Sequence, residues 1–205
     1  MYVPEPFSVS DREPVLDLID EHPFATVVTF DAARPLVSHV PITLTRDASA
    51  WGTLRGHVAR ANSHWRHFDG EWESLVIFHG PHAYVSPSAY ADKAAPPTWN
   101  YAVVHAYGRP GRIEDPARAA ALLDELVTRF DANPSSLALT AQRRRALQKG
   151  IVAFEFEIER VESKFKLGQN KTPADRVGTV AALEDRGSDA EMALAAWTRR
   201  ITGDG

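Results

Sequence analysis

Alternation of apolar and charged residues is sharpest from Ile151 to Val161. Val152, Phe154, Phe156 and Ile158 fall on one side, Glu155, Glu157 and Glu159 on the other. That period of two predicts a half-buried antiparallel strand. Phe24-Ala25-Thr26-Val27-Val28-Thr29-Phe30 is β-branched and aromatic and predicts another. After a turn over 31–35, Leu36 to Thr45 predicts a strand with Ser38, Val40, Ile42 and Leu44 on one face; Pro41 inside it suggests an edge or a bulge. From Trp51 to Ala59, Leu54, Gly56 and Val58 share one face, Arg55 and His57 the other. Ser74 to His79 reads as a short strand, Gly80-Pro81 as a turn and Ala83 to Ser86 as renewed extended chain. A proline-bearing loop covers 87–98, and a further strand Trp99 to Tyr107.

Helical spacing appears in fewer places. Ser10-Asp11-Arg12-Glu13 has the form of a capping box, followed by Val15, Leu18 and Ile19 and closed by His22-Pro23. Asn62 starts a short helix to Phe68. Asp115-Pro116 opens a helix whose expected apolar face is Ala119, Leu123, Leu126, Val127 and Phe130. A polar helix is expected over 135–149, another over 173–184, and a last one over 189–201 behind a Ser188/Glu191 capping box. Six or seven strands, short connections and few long helices predict a mainly β, α+β fold. The expected form is a closed antiparallel barrel with flanking helices rather than a βαβ sheet. At 205 residues one domain, 1–205, is expected, with a C-terminal helical extension over about 171–205.

Composition narrows the chemistry. With no cysteine there is no thiolate ligand, disulfide or Cys nucleophile. A net charge of -4 supplies no general nucleic-acid footprint. No apolar run approaches the ~20 residues of a membrane helix, and Met1-Tyr2-Val3-Pro4-Glu5-Pro6 does not read as a signal peptide; a cytoplasmic protein is the expectation. Six of the eight histidines and four of the five tyrosines lie between Gly56 and Gly108, a mixture that suits a pocket for a flat anionic ligand as well as an aromatic β core with polar loop tips.

Individual motifs leave alternatives open. His64 with His67, or His79 with His82, has metal-ligand types but no third ligand at tight spacing. There is no Gly-x-Ser-x-Gly elbow, dinucleotide fingerprint or P-loop. Arg60, Asn62 and Ser63, where a strand gives way to a helix, form a candidate phosphate corner; the plainer reading is a capping Asn62 and a solvated Arg60. Lys164 and Lys166 point the same way along an extended segment, as a solvated pair or as a clamp. Arg143-Arg144-Arg145 with Lys149 is the densest basic run, a solvated helix face or a DNA contact.

Taken in order, Met1-Tyr2-Val3-Pro4, Gly56-His57-Val58-Ala59-Arg60-Ala61-Asn62 with Trp65, Gly80-Pro81, Tyr84-Val85-Ser86-Pro87, Pro97-Thr98-Trp99-Asn100-Tyr101 with Val104-His105, and Lys164-Phe165-Lys166-Leu167-Gly168-Gln169-Asn170 carry a resemblance over nearly the whole chain. The chain resembles the FMN-binding negative transcriptional regulator family, the PaiB family. The resemblance implies a split β-barrel of the FMN-binding type, similar to pyridoxamine-phosphate oxidases and flavin reductases, and a homodimer with flavin at the subunit interface. It places Ser38, His39, Val40 and Pro41 along the isoalloxazine. It places His57, Arg60 and Asn62 by the ribityl chain and phosphate, with Trp99, Asn100, Tyr101, His105, Lys166, Gln169 and Asn170 completing the site. Three positions depart from the family's usual pattern: Ala89 for Trp, Gly168 for Ser and Ser63 for Pro. The implied functions are a flavin-dependent oxidoreductase or a flavin-sensing regulator. A repressor acting on DNA or through a partner is the alternative, and a haem-binding barrel with His57 or His105 as axial ligand is a third.

Overall fold

A computed structural model describes residues 1–31, 34–91, 93, 95–133 and 140–203. Among the described residues there are eight strands: β1 (Phe24–Phe30), β2 (Pro35–Thr45), β3 (Thr53–Ala59), β4 (Ser74–Val85), β5 (Thr98–Gly108), β6 (Gly111–Arg112), β7 (Ile151–Glu157) and β8 (Arg160–Lys166). The α-helices of the described residues are α1 (Arg12–Glu21), α2 (Pro116–Phe130), α3 (Ala141–Lys149), α4 (Pro173–Arg186) and α5 (Asp189–Thr202). The strands follow one another in a single sheet as β6-β7-β3-β2-β1-β4-β5-β8. The pairings β1–β2, β1–β4, β2–β3, β3–β7 and β6–β7 are antiparallel. The expected mainly β class with flanking helices therefore holds, with eight strands where the pattern suggested six or seven.

The chain forms two compact units. One comprises Ile19–Phe78 and His105–Val161. Its core fills with Phe68, Phe78, Phe154 and Phe156, all fully buried, beside Leu54 and Ile42. Each such side chain contributes roughly 1.5–3 kcal/mol on leaving water. Gly56 is closely packed here: a Cβ would stand 2.8 Å from Ile42 Cδ1, 3.0 Å from Phe154 Cζ and 3.2 Å from the Pro41 carbonyl oxygen. β2 changes partner within this unit. Pro35–Pro41 pair with β1 and Ile42–Thr45 with β3. Pro41 has no N–H to donate, so the ladder passes from one neighbour to the next at that residue. Pro41 thus marks a partner switch in an interior strand, not an edge.

Helix α2 lies over the outer side of β7. It buries Leu122 and Leu126 against Ile113 and Ala153, with Ala119 and Ile151 packed alongside. The buried face is centred one residue from the expected stripe. Leu123 and Val127 flank it, while Phe130 is 49% exposed, with the Arg129 guanidinium 5.6 Å from its ring. Asp115 caps the helix by accepting from the Ala117 amide. Of the polar helix expected over 135–149, the described part runs Ala141–Lys149; residues 134–139 lie outside the described residues.

The other unit comprises Met1–Leu18, His79–Val104 and the chain from Glu162 on. Phe165 meets Trp197 of α5 edge-on at 5.4 Å. The capping box appears as expected, with Ser188 accepting from the Glu191 amide and the Glu191 carboxylate reaching back. Gly80-Pro81 is no turn. β4 continues through it, burying Ser74, Val76, Phe78 and Gly80 and then Pro81, Ala83 and Val85, so the alternation shifts by one residue. Close approach explains the glycine: a Cβ on Gly80 would lie 2.7 Å from Leu18 Cδ1 and 3.0 Å from the Ala102 carbonyl oxygen. The extended segment expected at Lys164-Phe165-Lys166 is the end of a strand, β8.

Candidate functional site

Where β2 leaves β1, the period of two divides the four residues expected along a flavin. Ser38 and Val40 face inward and are 6% exposed; His39 is exposed and Pro41 half-buried on the outer face. His39 stacks near Phe24, ring centroids 6.4 Å apart. One step beyond the Ile42–Gly56 pair, His57 shares that outer face. Its Nδ1 is buried without a hydrogen-bond partner, and burial pushes its pKa down, which keeps the ring neutral. A buried polar atom left alone costs about 1–3 kcal/mol, so it marks a position awaiting a partner. His39, Pro41 and His57 are thus brought to one surface.

Ser38 and Asn62 belong to a polar chain on the inner side. Asn62 accepts from the His64 amide at 3.1 Å, which turns its amide nitrogen toward Ser38 Oγ at 2.9 Å. Ser38 Oγ lies 2.8 Å from His64 Nδ1, and His64 Nε2 lies 2.9 Å from Thr29 Oγ1, itself 2.5 Å from Ser74 Oγ. His64 is 2% exposed. Burial, and secondarily His67, lower its pKa to about 4. Both ring nitrogens of His64 are engaged by hydroxyls. Among the described residues no three His, Cys, Asp or Glu side chains gather around a common point. The sequence signal for this chain was three hydroxyl residues, Thr29, Ser38 and Ser74, at inward positions of apolar strands; it was not read.

Arg60 is exposed, yet two of its guanidinium nitrogens are tied to the backbone. Its Nε donates to the Lys149 carbonyl and its Nη2 to the Ile151 carbonyl, both at 2.8 Å, leaving Nη1. It pins the start of β7 and lines a cleft of about 590 Å³. The floor of the cleft is Ile113, Ala119, Ile151 and Ala153, and Ala153 is the cross-strand partner of His57. Trp65 forms a wall, its indole N–H donating to the Arg60 carbonyl at 2.9 Å. Arg112, Arg145 and Lys149 add positive charge, and Glu114 is the acidic residue lining it. The sequence pattern offers Arg145 and Lys149 as a solvated helix face or a DNA contact and gives no signal for Arg112.

In the other unit, Asn100, Lys166 and Asn170 surround a pocket of about 180 Å³ with Tyr90, Thr98 and Lys171. Lys166 donates to the Trp99 carbonyl at 2.9 Å and to Thr98 Oγ1. Its pKa is lowered by burial first, with Tyr101 opposing and Lys164 and Lys171 assisting. Trp99 and Tyr101 line a different groove, of about 310 Å³, with His79 and His82; the His82 and Trp99 rings are 5.5 Å apart. Gln169 staples its own turn, its Oε1 accepting from the Leu167 amide and its Nε2 donating to the Phe165 carbonyl. Gly168, where the family has Ser, adopts φ +88°, a conformation that favours glycine. Ala89 lies under α4: its carbonyl oxygen would be 2.3 Å from a Cβ on Gly178. His105 lies beside Tyr107, ring centroids 6.4 Å apart.

Comparison with known proteins places this geometry. The family described as "Putative FMN-binding domain" matches residues 1–160. "Protease synthase and sporulation protein PAI 2" of Bacillus subtilis (strain 168) is 32% identical over 188 residues, covering 90% of each chain. Among solved structures, the FAD and haem binding protein from Mycobacterium smegmatis superposes with a TM-score of 0.63 at 18% identity, covering 78% of this chain and 74% of that one. The flavocytochrome Anf3 from Azotobacter vinelandii gives 0.64 at 18% identity, covering 79% and 70%. Such identities speak for a shared fold. A family match over most of the chain, and a relative aligned along nine-tenths of it, lead to one statement: this chain belongs to the PaiB-like family of FMN-binding domains.

Proposed function

We propose that the protein binds FMN on the outer face where β2 passes from β1 to β3, acts as a homodimer, and uses the flavin as an oxidoreductase or flavin-sensing regulator. The observation that carries this reading is the buried, partnerless Nδ1 of His57, whose cross-strand partner Ala153 lines the positively charged cleft that Arg60 also lines. Those groups fit the ribityl and phosphate parts of a flavin: a neutral imidazole for a hydroxyl, and the remaining Arg60 N–H for an anion. His39 and Pro41 offer an outer surface for the ring, while Ser38, Val40 and Asn62 hold that surface in place from within. Trp99, Asn100, Tyr101, His105, Lys166, Gln169 and Asn170 are proposed contacts supplied by the second copy. When bound, FMN supplies the redox chemistry, and the protein binds it, orients it and keeps water away. We infer also that the sheet closes as a split barrel and that α4 and α5 extend a single domain. The order of the strands and the TM-scores support this.

The test is a visible spectrum of purified protein followed by FMN titration of wild type, Arg60→Ala and His57→Ala. Loss of a charge-assisted contact is worth roughly 1.5–3 kcal/mol, so Arg60→Ala weakens FMN binding at least tenfold. Absence of FMN uptake by the wild type sinks the reading; undiminished affinity in both variants sinks the phosphate assignment. A regulatory role has its own support in the sporulation protein that the Bacillus relative is named for. Arg143 and Arg145 stand exposed on α3 for such a role, and salt-dependent operator binding in a gel shift checks it. The haem reading draws on the Mycobacterium and Azotobacter neighbours' names. A Soret shift abolished by His57→Ala or His105→Ala checks it.

A further inference from the structure

We propose that the cleft beneath α2 and α3 is a nucleotide site that takes an adenosine diphosphate group. A single flavin phosphate needs one or two cations, yet this cleft has Arg60, Arg112, Arg145 and Lys149 against one carboxylate, Glu114. Arg60 is committed to two backbone carbonyls, and Arg112 pairs with Glu114 at 2.9 Å. Arg145 and Lys149 are different. They stand four residues apart, so one face of α3 presents both, with Gln148 between them, and all three line the cleft. That is charge enough for two linked phosphates.

The rest of the cleft argues for a ring attached to that charge. Its floor is apolar, and Trp65 is fixed by its bond to the Arg60 carbonyl, with the Arg112 guanidinium 5.8 Å from the ring centroid. Inorganic phosphate has no use for such a floor. An aromatic base stacks on Trp65 while the diphosphate reaches Arg145 and Lys149. The volume of about 590 Å³ lies in the range of small-molecule sites. The same chemistry occurs in FAD and in nicotinamide dinucleotides.

Calorimetric titration of the full chain with ADP, with and without saturating FMN, tests this. ADP is expected to bind the wild type at least tenfold more tightly than inorganic phosphate does. The double variant Arg145→Gln/Lys149→Gln is expected to lose ADP affinity at least tenfold, with its own unfolding midpoint unchanged, because both residues are exposed. ADP that displaces FAD but not FMN identifies the source as FAD. ADP and FMN bound together, with FAD no better than FMN, identify a separate nucleotide. No heat with ADP, equal ADP affinity in the double variant, or phosphate binding as well as ADP overturns the proposal. A wild type that takes ADP but never FMN leaves this site standing and removes the flavin reading instead.

Discussion

His64 shows how one residue couples burial to pH. Held neutral with a pKa near 4 against 6.5 in the unfolded chain, it binds its proton more readily when the protein is unfolded. Stability therefore falls as pH drops from about 6.5 toward 4, by up to about 3 kcal/mol from this group. Urea titrations across that range are expected to show the loss, and His64→Gln to flatten it. Ser38→Ala removes the oxygen between Asn62 and His64 and leaves two polar groups in the core without their partner. A cost of about 1–3 kcal/mol is expected in the same titration, with little effect on ring contacts made on the opposite face. Only half of this was legible beforehand. Alternation placed Ser38 on the inner side of β2, but no local pattern reveals that a histidine 26 residues on will meet its hydroxyl.

At the scale of elements, the strands whose alternation is clean were legible and the junctions were not. Gly80-Pro81 carries the ordinary signature of a turn, yet β4 runs through it, because a bare Cα is what lets Leu18 and Ala102 approach. Gly80→Val is expected to destabilise by about 1–3 kcal/mol, read as a lower thermal midpoint, since both neighbours would have to shift. Ser at position 168 would restore the family's usual residue at φ +88°, and Gly168→Ser is expected to cost about 1 kcal/mol on that account. If stability rises instead, this turn adopts another conformation. The apolar face of α2 is also decided by its seat. Leu122 and Leu126 were available at helical spacing alongside Leu123 and Val127, and contact with Ala153 and Ile113 chose the first pair.

For the whole molecule the outward side of β1 and β2 is the telling surface. Phe24, Phe30 and Val37 are 67%, 62% and 52% exposed, and they share one face with Val28, Leu75 and Ile77 by the registers of β1 with β2 and β4. An apolar face of that kind calls for a cover, and a second copy is what the homodimer reading supplies. Sedimentation is expected to give a dimer for the wild type and a monomer for Phe30→Glu/Val37→Glu, with FMN affinity reduced in the monomer. A wild type that sediments as a monomer refutes it. Among the described residues no helix is long and apolar enough to cross a membrane.

By itself the sequence determined the strands with clean alternation and the helices, the inward and outward faces of each clean strand, the helix caps at Asp115 and Ser188, and the family, because all of these depend on residues close together along the chain. Tertiary structure alone decided where β2 changes partner, which hydroxyls enclose His64, that Arg60 grips two carbonyls of a distant strand, and that Arg112, Arg145 and Lys149 meet around Trp65. Those outcomes require segments up to ninety residues apart to be brought within hydrogen-bond range. Only the energy of the packed whole, not any local periodicity, selects among the ways that can happen.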